Sequence, residues 1–194
     1  MARTAHIRRE TTETRVAVAV DLEGGPIQVR TTVPFFDHML TLLAKHGRLG
    51  LEIEAAGDTE IDLHHTVEDV GISIGEALRQ ALGDRSGIRR YGAAGVPMDE
   101  ALANAHIDLV TRSYLVYHVP LVAGQAGGFD IDLAEQFFRA LVTNLQATVH
   151  LELKYGSNQH HILEALFKAF GRALGEAITV DPRISGPLST KGVL

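Results

Sequence analysis

Apolar and polar residues alternate from Arg15 to Leu22, with Val16, Val18, Val20 and Leu22 on one face and Arg15 and Asp21 among those opposite. A period of two marks a strand with one face wet. Gly24-Gly25-Pro26 then turns the chain, and Ile27, Val29 and Thr31 continue the alternation, which predicts an antiparallel hairpin. At Phe35 the period lengthens: Phe36, Met39, Leu40 and Leu43 line one side of a helix that runs to Lys45. Asp37 is placed to cap that helix, and His38 to point away from the apolar side. Leu49, Leu51 and Ile53 return to strand spacing before Gly57-Asp58. A longer helix opens at His64 and frays at Gly83, burying Val67, Val70, Ile74, Ala77, Leu78 and Ala81.

The same order then recurs. Strand-like runs cover 105–110 and 114–119, Phe137, Leu141 and Leu145 mark a helix, Val149, Leu151 and Leu153 a strand, and His160 opens the last helix. Each apolar position of the first long helix, advanced by 96 residues, falls on Leu163, Leu166, Phe170, Ala173, Leu174 or Ala177. A buried face that repeats together with its polar face indicates a duplicated unit. The loop before the helix is shorter in the second copy, since Leu51 precedes His64 by 13 residues and Leu151 precedes His160 by 9. The expected fold is α+β, built from two half-repeats, 1–93 and 94–194, each a mostly antiparallel sheet backed by helices. The seam is expected near Gly92 to Pro97.

Composition narrows the function. A net charge of -6 argues against a general nucleic-acid or anionic-membrane surface, although Arg85, Arg89 and Arg90 form a local cluster able to take a small phosphate. There is no cysteine, so any metal site must use nitrogen and oxygen. No apolar run approaches the roughly 20 residues of a membrane span, and the polar N-terminal stretch lacks the apolar core of a secretion signal. A cytoplasmic protein is expected.

Ten histidines are present, and four of them stand in two doublets. His64-His65-Thr66-Val67-Glu68 and His160-His161-Ile162-Leu163-Glu164 share the pattern His-His-x-x-Glu. A histidine and a carboxylate four residues later lie one turn apart on one helix face and can grip one metal ion. The neighbouring histidine points about a quarter-turn away and serves a second ion or a supporting role. Isolated histidines (His6, His46, His106, His118) are more often structural, and His150 sits on the polar side of its strand. Imidazole and carboxylate together suit several divalent ions, from zinc to manganese.

Longer motifs join the doublets. Phe-x-Asp-His-Met-Leu at 35–40, Gly57-Asp58 with Ile61-Asp62-x-His64-His65-Thr66-x-Glu68-Asp69, Asp99-Glu100-Ala101-Leu102, Gly156-x-Asn158-x-His160-His161-x-x-Glu164 with Phe167-Lys168, and Ser189-Thr190-Lys191-Gly192 occur in that order. Together they resemble the imidazoleglycerol-phosphate dehydratases of histidine biosynthesis, nearly end to end. The resemblance implies a manganese-dependent lyase with two Mn(II) per active site. One ion takes His64, Glu68 and His161, and the other His38, His65, His160 and Glu164. Many relatives carry a histidine where this chain has Gln136, so Gln136 is the weakest of the implied ligands. Substrate phosphate falls to Arg90, Arg112, Lys168, Ser189, Thr190 and Lys191, since a dianion wants several donors and at least two cations. Glu13 matches the family's acid/base position, with His65, Glu68 and Glu164 also in the catalytic set. The implied reaction removes water from imidazoleglycerol phosphate to give imidazoleacetol phosphate. The implied assembly is a homo-oligomer, a 24-subunit shell with active sites between subunits, and the C-terminal tail through Leu194 is expected to order on the phosphate. A binuclear metallohydrolase uses similar ligands and would release inorganic phosphate. A metal-storage shell would leave the phosphate-binding residues without a purpose.

Overall fold

A computed structural model of the chain describes residues 2–120 and 123–192. The first half runs β1 (Thr4–Glu10), β2 (Thr14–Asp21), β3 (Ile27–Arg30), α1 (Pro34–Gly47), β4 (Gly50–Gly57) and α2 (His64–Leu82). The second runs β5 (Tyr91–Met98), β6 (Ala101–Asp108), β7 (Tyr114–His118), a small ribbon of β8 (Gln125–Ala126) and β9 (Phe129–Asp130), α3 (Asp132–Leu145), β10 (Thr148–Tyr155) and α4 (Gln159–Ala177). The first sheet has strand order β1-β2-β4-β3 and the second β5-β6-β10-β7, so the two halves share one topology apart from the inserted ribbon. In each sheet the last pair is parallel (β3 with β4, β7 with β10) and the others are antiparallel. The duplication read from the apolar pattern is a duplication of structure.

The helices lie between the sheets. Helix α2 packs on β1 and β2 and α1 on β3, while α4 packs on β5 and β6 and α3 against β7. Across the middle α2 meets α3 and α1 meets α4, so each half covers the other and one apolar core runs through both. Glycines let these helices cross at close range. A Cβ on Gly75 would lie 2.5 Å from the Leu141 carbonyl oxygen, and one on Gly171 would lie 2.4 Å from that of Leu43. Gly171 follows Gly75 by 96 residues and Leu141 follows Leu43 by 98, so the same crossing is made twice. Among the described residues no helix is long and apolar enough to cross a membrane.

Three local expectations change, and β1 is a strand that the apolar pattern did not announce. The hairpin predicted over 15–31 does not form: β2 pairs with β1 and β4, and β3 crosses over to pair with β4 in parallel. Strand β1 carries no clean alternation because Arg9 faces the helices and is held there by Asp69 of α2, Nε to Oδ1 at 2.8 Å. The expected seam at 93/94 falls inside β5, and the chain changes sheets before it, between Leu82 and Tyr91. That strand is poor in large side chains because α4 passes directly over it: a Cβ on Gly92 would meet the Ala173 carbonyl oxygen. Asp37 does not cap α1, which begins at Pro34 after Val33; its carboxylate instead accepts from Thr31 N at 2.7 Å and fixes the preceding loop.

Candidate active site

Both histidine doublets stand in the first turn of a helix. At α4 the Asn158 side chain accepts from His160 N at 2.9 Å and His161 N at 3.3 Å, satisfying amides that have no partner within the helix. At α2 the Asp62 carboxylate accepts from His64 N at 2.9 Å. The two helices therefore present their histidines in the same way, one through a capping asparagine and the other through a carboxylate just ahead of the helix.

The best-defined cluster joins α1 to α4. Glu164 Oε1 accepts from His38 Nε2 at 2.9 Å and from His160 Nε2 at 3.1 Å, while Lys168 Nζ donates to Oε2 at 2.5 Å. Glu164 is 7% exposed. Burial alone would raise its pKa, but the hydrogen bonds from Lys168, His38 and His160 outweigh that and hold it at about 2. The carboxylate stays ionised, and two imidazole nitrogens and one carboxylate oxygen converge within 4.8 Å of one another. A nitrogen–oxygen set of this kind, without thiolate, fits a borderline or hard divalent ion.

A second cluster lies at the start of α2, where His65 Nδ1 meets Asp58 Oδ2 at 3.1 Å and Glu13 Oε2 at 3.7 Å. The hydrogen bond to Asp58 raises the His65 pKa, aided by the charge of Glu13. The counterpart at α4 is His161, whose Nδ1 donates to Glu100 Oε2 at 2.7 Å. Glu100 also accepts from Ser157 N and Asn158 N, and these bonds, with that of His161 the largest, hold its pKa at about 2. In both doublets the second histidine thus has Nδ1 fixed by a carboxylate, which leaves Nε2 as its outward ligand atom. Asp58 and Glu100 belong to motifs quoted from the sequence, yet no spacing marks them as histidine partners: they lie 7 and 61 residues from the rings they hold.

The implied ligand sets are therefore split within one chain. His38, His160 and Glu164 come together; His65, assigned with them, sits in the other cluster. His64 and Glu68 share a face of α2, Glu68 exposed and Gln136 half-buried on α3, and neither forms a compact ligand cluster with His161 among the described residues.

The phosphate residues divide similarly. Arg90, Arg112, Ser189, Thr190 and Lys191 line one cleft of about 970 Å³, together with Arg183, which the sequence reading did not single out. Lys168 is not there; it serves Glu164. Arg90 donates to both Asp108 oxygens at 2.6 and 3.0 Å and to the Leu188 carbonyl at 2.7 Å, so it also ties the C-terminal segment to β6. Val193 and Leu194 lie outside the described residues.

Known proteins resemble this chain in sequence and fold. Residues 31–174 match the family described as imidazoleglycerol-phosphate dehydratase. The imidazoleglycerol-phosphate dehydratases of Geobacter metallireducens and Trichlorobacter lovleyi are 53% and 55% identical to the chain over 195 aligned positions, covering all of it and all of each relative. The crystal structure of the Staphylococcus aureus dehydratase matches with a TM-score of 0.84 at 40% identity, over 92% of this chain and 99% of that one. The Pyrococcus furiosus enzyme, solved in complex with (S)-C348, also gives 0.84, at 37% identity, over 97% of this chain and all of that one. With a fold shared across its length and a buried carboxylate set between histidines of two helices, the chain belongs to the imidazoleglycerol-phosphate dehydratases, hydro-lyases of histidine biosynthesis.

Proposed function

We propose that the protein catalyses the manganese-dependent dehydration of D-erythro-imidazoleglycerol phosphate to imidazoleacetol phosphate and water. The observation that carries the reading is Glu164, an ionised and buried carboxylate gripped by His38 and His160. Two Mn(II) ions per site would be held by His64, Glu68 and His161, with Gln136 beside them, and by His38, His65, His160 and Glu164. When bound, the ions supply positive charge that favours the anionic form of the substrate's imidazole ring. The separation of His65 from its implied co-ligands within one chain suits a site completed between subunits, as in a 24-subunit shell, and a cytoplasmic location belongs to the same reading.

The remaining work falls to the chain's own groups. Arg112, Arg183 and Lys191 bring positive charge to the cleft, and Ser189 and Thr190 bring hydroxyl donors, a combination that suits a phosphate dianion. Arg90 builds the wall of that cleft by holding Leu188. Lys168 keeps Glu164 ionised. Glu13 is exposed beside His65 and is the base that removes the side-chain proton once the hydroxyl has left. Asp58 and Glu100 orient the outer histidines.

The test is to give manganese-loaded protein the substrate and follow the enolisable ketone, with a chelated control and a phosphate-release assay. Metal-dependent ketone without released phosphate is expected. Glu13→Gln should abolish turnover and leave metal content intact. Bound manganese with no ketone, or with inorganic phosphate as the product, would overturn the proposal.

A further inference from the structure

We infer that the two metal cradles of this chain are unequal, and that the cradle containing Gln136 holds its ion more loosely and gives it up first. This rests on the metal-dependent reading above and concerns residues in which the two halves differ.

The crossing glycines fix the correspondence between cradles. Gly75 packs on Leu141 as Gly171 packs on Leu43, which sets α2 against α3 in the register that α4 keeps against α1. In that register His160 and Glu164 correspond to His64 and Glu68, and His38 corresponds to Gln136. Apart from the outer histidines, His65 and His161, which each site gains alike, the first cradle offers two imidazoles and a carboxylate, and the second one imidazole, one carboxylate and one amide. A neutral amide donates only through its oxygen, weakly, and its nitrogen has no lone pair to give. Imidazole donates a nitrogen lone pair to nearly every divalent transition ion.

The surroundings differ too. Glu164 is buried within its own chain and Glu68 is exposed on its own, so the chain itself holds the first carboxylate more firmly in place. Lys168 pulls the other way, since its ammonium lies against Glu164 whereas the corresponding position on α2 is Ile72. That opposition is weak. An ammonium on a four-carbon stem can swing off the carboxylate, but a missing ligand nitrogen cannot be supplied by a rotamer. Changes in outer-shell partners alone typically alter metal affinity by about 10- to 100-fold, so loss of a direct ligand should separate the two dissociation constants by at least about tenfold.

The test is metal content, read by elemental analysis and by manganese electron paramagnetic resonance, during stepwise chelation of the manganese-loaded full-length protein. Ketone formation is followed in parallel. The wild type should release its manganese in two steps of about one equivalent per chain. Gln136→His should bring the steps together by strengthening the weaker one. The mirror change His38→Gln should bring them together by weakening the stronger one, and it keeps the test decisive where the first variant fails to fold. A single step in the wild type, or two unchanged steps in a folded variant, would overturn the inference. Two manganese steps without ketone would leave it standing and remove the dehydratase reading instead.

Discussion

Gly75→Ala tests whether the helix crossing is as tight as the structure draws it. On an exposed helix this change is favourable by about 1 kcal/mol, because alanine loses less conformational freedom than glycine. Here the new Cβ would lie 2.5 Å from the Leu141 carbonyl oxygen and 2.9 Å from both Leu145 N and Asn144 Cβ. Two of those three atoms are backbone of α3, so no rotamer change relieves the contact and the helix backbones themselves must shift apart. Overpacking of this kind costs about 1–3 kcal/mol, and here it is concentrated on backbone, so we expect the upper part of that range. Against the propensity gain, the net loss is about 1–2 kcal/mol. For a chain of this size each kcal/mol moves the midpoint by about 2–4 °C, which predicts a Tm lower by about 2–8 °C. Thermal unfolding followed by circular dichroism, at matched protomer concentration and with metal chelated, measures it. Gly171→Ala should act in the same direction, since its Cβ meets Leu43 at 2.4 Å. A Gly75→Ala protein with Tm equal to or above the wild type would refute the close crossing, and with it the register that aligns Gln136 with His38.

Two further predictions rest on single polar groups. The Tyr117 hydroxyl is buried and has no hydrogen-bond partner among the described residues, so Tyr117→Phe should stabilise by about 1 kcal/mol by removing an unsatisfied donor. Burial, reinforced by Glu135 and Asp132, raises the phenol's pKa; because the folded value exceeds the unfolded one, the wild type should lose stability as pH climbs past about 10. Urea midpoints of the two proteins that run parallel across that range would contradict this account. Glu100→Gln removes the charge facing His161 Nδ1, and the His161 pKa, raised chiefly by its hydrogen bond to Glu100, should fall towards the ordinary histidine value. Imidazole NMR of the metal-free protein reads it, and an unmoved titration would mean that Glu100 does not hold the ring.

Elements with a pure period were legible from the sequence: β2, β4, β10 and all four helices appear where their apolar spacing places them. The misses have specific physical causes. Arg9 is an inward charge whose partner Asp69 lies on a different element 60 residues away, and no local pattern can announce such a pair. In β5 the residue that packs best against α4 is a glycine, which leaves no hydrophobic mark. The hairpin reading failed because alternation fixes which face of a strand is buried but not which strand lies beside it.

The site divides along another line. What the two halves share was visible from the repeated His-His-x-x-Glu; of the cleft's phosphate candidates, Arg90 stood out in the local basic cluster and Arg112, Ser189, Thr190 and Lys191 came through resemblance. What needed coordinates is what the differences between the halves do: Asn158 caps one doublet where Asp62 holds the other, Lys168 lies on Glu164 where Ile72 stands in the first half, and the helix crossings align His38 with Gln136. A duplicated fold starts with two equal cradles, and every packing constraint that keeps the crossings alike tends to keep them equal. The cores of the two halves have kept that constraint, down to paired glycines meeting paired carbonyls. The ligand-bearing N-terminal halves of the helices, partly in solvent apart from Glu164, are less bound by it. Differences between the cradles can therefore accumulate with little cost to folding. That is why the asymmetry appears at the chemistry and not in the core, and why exchanging Gln136 and His38 should alter metal retention far more than stability.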